Sequence, residues 1–262
     1  MDISHLTTKS KITWCAGCPN SQILVAFRQA VIELVQNDKL KIENLVGFAG
    51  IGCHGKISDY ININTFTSLH GRLIPAMTGT KCANPSLTIV GFSGDGDSYD
   101  EGMGHLIHAA KRNSDISLFI HDNQIFALTT GQFDAMSPKG FKGKSTPFGS
   151  IENPINPLLL MLSAGATFVA RTYAGEIEKT KKIMEAAILH KGFAFVDIIQ
   201  PCITFFDSRD YFKENTFWIE EPFPTNDLNM AMQKVNEKVG GKVPLGIFYE
   251  VSKPTFEEEL YK

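Results

Sequence analysis

One stretch, residues 87–123, constrains the fold more than any other because it alternates apolar runs with polar turns. The apolar run at its start predicts a buried strand, which ends in the turn Ser-Gly-Asp-Gly-Asp over 93–97. A helical pattern follows, with an apolar face formed by Met103, Leu106, Ile107 and Ala110. A second apolar run predicts another strand, which ends in Asp122-Asn123. In a parallel sheet, both polar turns lie on the same edge.

These two turns suit a metal diphosphate. Gly94 and Gly96 let the backbone approach phosphate oxygens, and the helix N-terminus behind them favours negative charge. Asp95 offers a carboxylate oxygen and Asn123 an amide oxygen, which Mg²⁺ takes while it keeps places for phosphate. Asn123 follows Gly96 after 26 residues, 97–122. This spacing resembles the thiamine diphosphate motif. The alternative is a glycine-rich turn in some other α/β domain.

Length and charge narrow the class of protein. With 262 residues and alternating strands and helices, we predict one α/β domain with a doubly wound, mostly parallel sheet. This domain covers 1–262, with a Cys-x-x-Cys arm at its start and an extension over about 207–262. A net charge of −3 implies no nucleic-acid partner. We find no bilayer-length apolar run and no signal-peptide core, so we expect a cytoplasmic protein without membrane contact or disulfides.

Apolar periodicity predicts the other elements. We expect helices that begin near Asn20 and cover 74–83, 156–165, 176–190 and about 227–239. We expect strands over 43–49, 166–171, 193–199 and about 245–250. Two segments are predicted without regular structure: an irregular stretch at 57–69 and a loop over the strand ends at 126–155. The tail at 253–262 is charged.

Four of the five cysteines are predicted at loops or element ends, where thiolates can converge. Cys15 and Cys18 form a Cys-x-x-Cys turn. Cys53 and Cys202 each follow a predicted strand. Four thiolates hold either a [4Fe–4S] cluster or a structural Zn²⁺, and the Cys-x-x-Cys pair alone can be a redox dithiol. Cys82 lies in a small-residue stretch and is interpreted as a packed core cysteine.

Seven motifs along residues 14–206 together resemble the thiamine-binding β subunit of 2-oxoacid:ferredoxin oxidoreductases. They are Trp14-Cys-x-x-Cys18, Gly50-Ile-Gly-Cys53, His70-Gly-Arg72, Gly94-Asp-Gly-Asp97, Asp122-Asn123, Thr129-x-Gly-Gln132 and Pro201-Cys-x-Thr-Phe205. The resemblance implies a thiamine diphosphate-binding fold and oxidative decarboxylation of a 2-oxoacid to an acyl-CoA and CO₂. It also implies that electrons pass through a [4Fe–4S] cluster to ferredoxin, and that an α subunit is a partner.

The resemblance assigns roles position by position. The positions that match the family's cluster ligands are Cys15, Cys18, Cys53 and Cys202. Those that match its Mg²⁺ ligands are Asp95, Asn123 and the backbone carbonyl of Ile125. Those that match contacts to the cofactor are Ile51, Gly52, Cys53, His54, Gly94, Gly96, Asp97, Ala127 and Leu128.

Two further residues are candidates for contact with the reacting groups. Lys56 falls where the family can place a lysine toward the substrate carboxylate, and the alternative is a solvated surface lysine. His70 either hydrogen-bonds near the reacting centre or holds its own turn. Neither alternative is excluded by the residues alone.

The sequence departs from the family pattern at two places. Pro19 replaces the glycine that usually follows the second cysteine, and proline has no N–H to offer a cluster sulfur. Residues 134–136, Asp-Ala-Met, stand where Ser, Pro and Thr are usual, which affects the expected substrate-side contacts.

The resemblance also implies that an activating Glu comes from the α subunit. We therefore expect this chain to be inactive alone and to form an αβ unit or its dimer, (αβ)₂. Two other hypotheses stay open: a non-redox thiamine diphosphate decarboxylase with zinc or free thiols, and a non-catalytic interaction subunit stapled by zinc. The sequence does not identify the particular 2-oxoacid, because much of the substrate-binding pocket is expected on the α subunit.

Overall fold

The structure is a computed structural model that describes residues 2–237 and 239–262. Its helices are α1 Asn20–Gln36, α2 Leu73–Ala83, α3 Met103–Arg112, α4 Pro157–Ala164, α5 Ile177–Leu189, α6 Arg209–Glu214, α7 Leu228–Lys234 and α8 Phe256–Leu260. Its strands are β1 Leu45–Ala49, β2 Asn64–Thr67, β3 Thr88–Gly94, β4 Ser117–Asp122, β5 Phe168–Tyr173, β6 Ala194–Ile199, β7 Thr216–Trp218 and β8 Val243–Glu250.

Within the described residues, eight strands form one sheet in the order β2-β1-β3-β4-β6-β5-β8-β7. Neighbouring strands from β2 to β5 are all parallel, and β8 runs antiparallel to β5. The doubly wound, mostly parallel α/β fold that the sequence predicts is thereby confirmed. Parallel strands align their carboxyl ends, so the turns after β1, β3 and β4 meet at one edge.

Helices cover both faces of the sheet. Helices α1 and α5 pack together on one face, while α2, α3, α4 and α7 form the other layer. Side chains alternate along the strands accordingly: in β4, Phe119 joins the first core, whereas Leu118 and Ile120 join the second. The central strands β3, β4 and β6 are buried on both faces, which explains their continuous apolar runs.

Several elements differ from the sequence-based expectation. The segment 57–69 is not wholly irregular, because β2 lies within it. The tail 253–262 contains α8, and α6 and β7 form where no element was predicted. The helix predicted over about 227–239 is shorter, because α7 ends at Lys234. The loop over 126–155 is confirmed: it holds no helix and no strand of the sheet.

No helix among residues 2–237 and 239–262 has the length and apolar character needed to cross a membrane.

Asn113 hydrogen-bonds the C-terminal segment to the amino ends of the strands, on the side of the sheet opposite the polar turns. It ends α3 with φ 54°. Its Oδ1 accepts hydrogen bonds from Thr167 Oγ1 at 2.6 Å and from the Phe193 N–H at 2.9 Å. Its Nδ2 donates to the carbonyls of Lys253 and Pro254 at 3.2 and 3.0 Å. One side chain therefore joins α3, β5, β6 and the segment that leads into α8.

We expect Asn113→Ala to lower the free energy of unfolding of the apo chain by about 2–4 kcal/mol, because it removes four hydrogen bonds and places alanine at positive φ. Urea unfolding measures the change. Lys111→Ala, on the exposed face of the same helix, is the matched control and should stay within about 0.5 kcal/mol of wild type. Equal stability of the two variants would contradict this role for Asn113.

Candidate functional site

A cavity opens at the carboxyl edge of the sheet, where the turns after β1, β3 and β4 meet. We name it the carboxylate cavity. Its wall is formed by Ile51, Gly52, Cys53, His54, His70, Gly94, Asp95, Gly96, Asp97, Asn123, Ile125, Phe126, Ala127, Leu128 and Thr129. This wall brings together all the residues predicted to bind Mg²⁺ or contact the cofactor, and His70 as well. Their individual roles stay predictions.

Asp95 links the two polar turns. It is 2% exposed, and its Oδ1 accepts a hydrogen bond from the Gly96 N–H at 3.0 Å. Its Oδ2 accepts from the N–H of Asn123 at 2.8 Å and from that of Gln124. Gln124 itself has a positive φ of 65°. The turn after β3 thus holds the turn after β4 in register through one carboxylate.

Several buried oxygen atoms beside Asp95 have no hydrogen-bond partner. They are Oδ1 of Asp122, Oδ1 of Asn123 and Oδ2 of Asp134. Burial, and then the carboxylates of Asp134 and Asp122, raise the pKa of Asp95 well above its usual value. Burial likewise raises the pKa of Asp134 to about 6. Carboxylate and amide oxygens without hydrogen-bond partners are of the kind that Mg²⁺ takes as ligands, and of the three only that of Asn123 belongs to a residue of the cavity wall.

Asp97 organises a second set of contacts on the same turn. Its Oδ1 accepts from the Gly71 N–H at 2.8 Å, and its Oδ2 accepts from Ser93 Oγ at 2.6 Å. The Nε2 atom of His54 lies 3.5 Å from Oδ2. Burial alone would raise the pKa of Asp97, but the hydrogen bonds and the charge of His54 outweigh it, so the pKa lies below its usual value. Asp97 therefore remains ionised and orients the buried imidazole of His54.

Two glycines make this packing possible. A Cβ on Gly94 would stand 2.6 Å from His54 Nδ1, and one on Gly50 would stand 1.8 Å from Asp97 Oδ2. No side chain fits at either position without displacing these groups. The glycines at the ends of β1 and β3 are thus explained by close packing of His54 and Asp97.

A second cavity adjoins the first, and we name it the cysteine cavity. Its wall is formed by Thr13, Trp14, Cys15, Cys18, Asn20, Cys53, Lys56, Asn123, Ala127, Leu128, Thr130, Gln200, Cys202, Ile203, Thr204 and Phe205. It brings together the four cysteines predicted as cluster ligands, all as free thiols. Burial, and then the neighbouring thiols, raise the pKa of Cys53 to about 11, although the charge of Lys56 acts against this shift.

The four thiols share this wall without closing on one centre. Across the described parts of the chain, no three His, Cys, Asp or Glu side chains are arranged to hold a metal ion. Cys82 lies apart, beside α8, where the hydroxyl of Tyr261 donates to its backbone carbonyl. It is partly exposed. The prediction that Cys82 is a packed core residue is therefore wrong, and Cys82 does not line the cysteine cavity.

The two candidates for contact with reacting groups lie in different cavities. His70 stands at the mouth of the carboxylate cavity, 35% exposed, with its Nε2 3.9 Å from Asp97 Oδ1. Lys56 lies on the wall of the cysteine cavity instead, and its Nζ donates to the Thr13 carbonyl at 3.3 Å. This position connects the N-terminal arm to the turn after β1.

A buried polar pair, Asn20 and His121, was not predicted from the sequence. The two side chains are 1% and 0% exposed, and Oδ1 of Asn20 lies 2.6 Å from Nδ1 of His121. The ring of His121 lies 6.0 Å from that of His54. Burial, and then the charge of His54, hold the pKa of His121 well below its usual value. Asn20 lines the cysteine cavity, and His121 lies between Asn20 and His54, which lines the carboxylate cavity.

Comparison with known proteins gives first the class of the fold. Residues 50–198 match the family described as thiamine pyrophosphate enzyme, C-terminal TPP binding domain. Residues 202–262 match a second family, which is the C-terminal part of the pyruvate ferredoxin oxidoreductase beta subunit. The fold is thus that of a thiamine diphosphate-binding domain.

Individual similar proteins identify the family more closely. A 2-oxoacid:ferredoxin oxidoreductase subunit beta from a Sulfolobus species is 37% identical over 94% of this chain and 85% of that protein. The 2-oxoglutarate synthase subunit KorB of Methanocaldococcus jannaschii is 34% identical over 95% and 91%. The solved 2-oxoglutarate:ferredoxin oxidoreductase from Magnetococcus marinus, with 2-oxoglutarate, coenzyme A and succinyl-CoA bound, superposes with a TM-score of 0.94 at 35% identity, covering 100% of this chain and 89% of that one. The chain belongs to the β subunits of the 2-oxoacid:ferredoxin oxidoreductase family.

Proposed function

We propose that this chain, with an α subunit, oxidatively decarboxylates a 2-oxoacid to an acyl-CoA and CO₂ and passes the electrons through one [4Fe–4S] cluster to ferredoxin. The observation that carries the proposal is the shared wall of the two cavities. Cys53, Asn123, Ala127 and Leu128 line both of them. A cofactor in the carboxylate cavity and a cluster in the cysteine cavity would therefore be neighbours.

In this proposal the carboxylate cavity holds Mg²⁺ and thiamine diphosphate. Asp95, Asn123 and the carbonyl of Ile125 would bind the metal, which suits the unpartnered Oδ1 of Asn123. The bound thiamine supplies a carbon nucleophile and an electron sink for decarboxylation. Asp97 keeps His54 oriented on the wall of this cavity, and we propose that His70, on the same wall, hydrogen-bonds with a reacting group.

The cysteine cavity would hold the cluster. Cys15, Cys18, Cys53 and Cys202 supply four thiolates, the usual ligand set of a [4Fe–4S] cluster. A zinc ion on the same thiolates is the competing interpretation, and it would leave only a non-redox or non-catalytic role. Lys56 places a positive charge beside Cys53, which stabilises the thiolate form that binds iron. Its predicted contact with the substrate carboxylate stays open, because Lys56 lines this cavity and not the other.

The α subunit is needed for two reasons. The activating Glu of the family is implied on that subunit. In addition, apolar side chains are exposed around the carboxyl edge of the sheet, at Ile51, Phe66, Leu69 and Leu128. We propose that the partner covers this edge in an αβ unit or its dimer. The substrate is proposed to be a small 2-oxoacid, with 2-oxoglutarate to be tested first because two of the similar proteins are named for it.

We expect the αβ complex to reduce ferredoxin in the presence of a 2-oxoacid and coenzyme A, and the isolated chain to show no turnover. A panel of 2-oxoacids, assayed anaerobically by ferredoxin reduction, measures both. Release of CO₂ without ferredoxin reduction would favour the non-redox decarboxylase instead. Failure of the complex to bind thiamine diphosphate in the presence of magnesium would favour a non-catalytic subunit, and full turnover by the isolated chain would remove the need for the α subunit.

A further inference from the structure

Polar side chains from distant segments lie against the sulfur atoms of the Cys15–Cys18 turn. The hydroxyl of Thr204 donates to Cys15 Sγ at 3.3 Å. The side-chain amide of Gln200 donates to Cys18 Sγ at 3.9 Å. Both donors flank Cys202, so the segment that supplies the fourth thiol also supplies hydrogen bonds to the first two.

Asn20 provides a third donor to the same region. It begins α1, and its backbone N–H and side chain lie beside Cys18 Sγ. Its Oδ1 faces His121 Nδ1, and because an amide oxygen only accepts, the histidine nitrogen must donate. This contact directs Nδ2 of Asn20 away from His121. There it is buried with no hydrogen-bond partner, on the wall of the cysteine cavity.

Pro19 removes one backbone donor from the segment that follows Cys18. Proline carries no N–H, so the backbone offers no hydrogen bond from the position directly after Cys18. The side-chain amide of Gln200 reaches the sulfur of Cys18 instead, and the unpartnered Nδ2 of Asn20 lies on the wall of the same cavity. Thr204 donates its O–H to the sulfur of Cys15.

We propose that Asn20, Gln200 and Thr204 donate hydrogen bonds to the cysteine sulfurs of the cluster and raise its reduction potential. One-electron reduction adds one negative charge to the cluster and its thiolates, and hydrogen-bond donors stabilise that added charge. His121 acts as a positioning residue, because it fixes the orientation of the Asn20 amide. The inference rests on the proposed function, since it requires a cluster on the four cysteines.

The test is a redox titration of the anaerobic αβ complex. The electron paramagnetic resonance signal of the reduced cluster is measured at each potential. Thr204→Val removes the hydroxyl and keeps the shape of the side chain. In Thr204→Val, we expect the ratio of reduced to oxidised cluster at a fixed potential to be about fivefold lower than in wild type. For a one-electron couple this equals a reduction potential lower by about 40 mV. Thr204→Ser should restore the wild-type potential. Thr130→Val is the matched control, because Thr130 lines the same cavity but bonds Lys144 and should leave the potential unchanged.

Asn20→Ala is a second variant on a different segment, and we expect it also to lower the potential. Iron and sulfide analysis of each variant shows whether the cluster is complete. Unchanged potentials in both variants, with complete clusters, would overturn this inference and leave the proposed function intact. A wild-type complex whose four cysteines hold no cluster would overturn the proposed function itself. A shift in the Thr130→Val control equal to that of Thr204→Val would also overturn the inference, because the potential would then not depend on contact with sulfur.

Discussion

An αβ complex that carries Cys202→Ala should be purified without the cluster of this chain, while Cys82→Ala should keep it. Cys202 lines the cysteine cavity with the three other matched cysteines, whereas Cys82 lies beside α8. Removal of one thiolate leaves one iron without a protein ligand, and no other described cysteine lies on that wall. The expected result is loss of the broad absorption near roughly 400 nm that is typical of thiolate-bound iron.

Iron and acid-labile sulfide, measured per chain beside the spectrum, decide this prediction. Any clusters held by the α subunit appear equally in wild type and both variants, so the difference between proteins reports this chain alone. A colourless wild type with one zinc per chain would replace the cluster by a structural metal and remove the redox half of the proposed function. Loss of colour in Cys82→Ala, with Cys202→Ala unaffected, would exchange the roles of the two cysteines.

The central part of the fold was predictable because its strands are buried on both faces. β3, β4 and β6 are continuous apolar runs in the sequence, and the polar turns that follow β3 and β4 mark where those strands end. The edge strand β2 could not be predicted in this way. All four of its residues are exposed, so it has no apolar face, and it exists because its backbone pairs with β1.

The C-terminal region gave weaker signals. β8 pairs antiparallel with β5, and the direction of pairing depends on how the chain returns to the sheet. α8 did have a readable signal in Thr255-x-x-Glu258, which forms a capping box in the structure. The charged composition of the tail obscured it.

The candidate site also has parts that the sequence predicts and parts that it does not. Residues that directly follow parallel strands, such as Asp95 and Asn123, could be placed together from the sequence, because the carboxyl ends of those strands lie at one edge of the sheet. Contacts made by loops could not. Asp134 lies next to Asp95 only because of the path of a long loop, and Asn20 meets His121 across 101 positions of sequence. Lys56 was linked by resemblance to the substrate, but its position depends on the N-terminal arm that it contacts.

The magnesium site can be tested by a change that removes charge and keeps shape. We expect Asp95→Asn to weaken magnesium-dependent binding of thiamine diphosphate by more than about 100-fold, because a metal ligand loses its negative charge. The amide oxygen can still accept from one of the backbone N–H groups that Asp95 now holds. Asp95→Ala removes that link as well, and should abolish binding. Calorimetric titration of the αβ complex with the cofactor, with and without Mg²⁺, measures the change.

Stability separates loss of the metal ligand from loss of the fold. The pKa of Asp95 is raised by burial and by Asp134 and Asp122, so a neutral side chain relieves repulsion in the metal-free chain. Asp95→Asn also loses backbone hydrogen bonds, which offsets this gain, so it should still unfold cooperatively as an apo chain at neutral pH even though its cofactor affinity falls. Asp100→Asn, on the same turn but outside the carboxylate cavity, is the matched control and should bind normally. Unchanged magnesium-dependent affinity in Asp95→Asn and Asp95→Ala would remove Asp95 from the metal site.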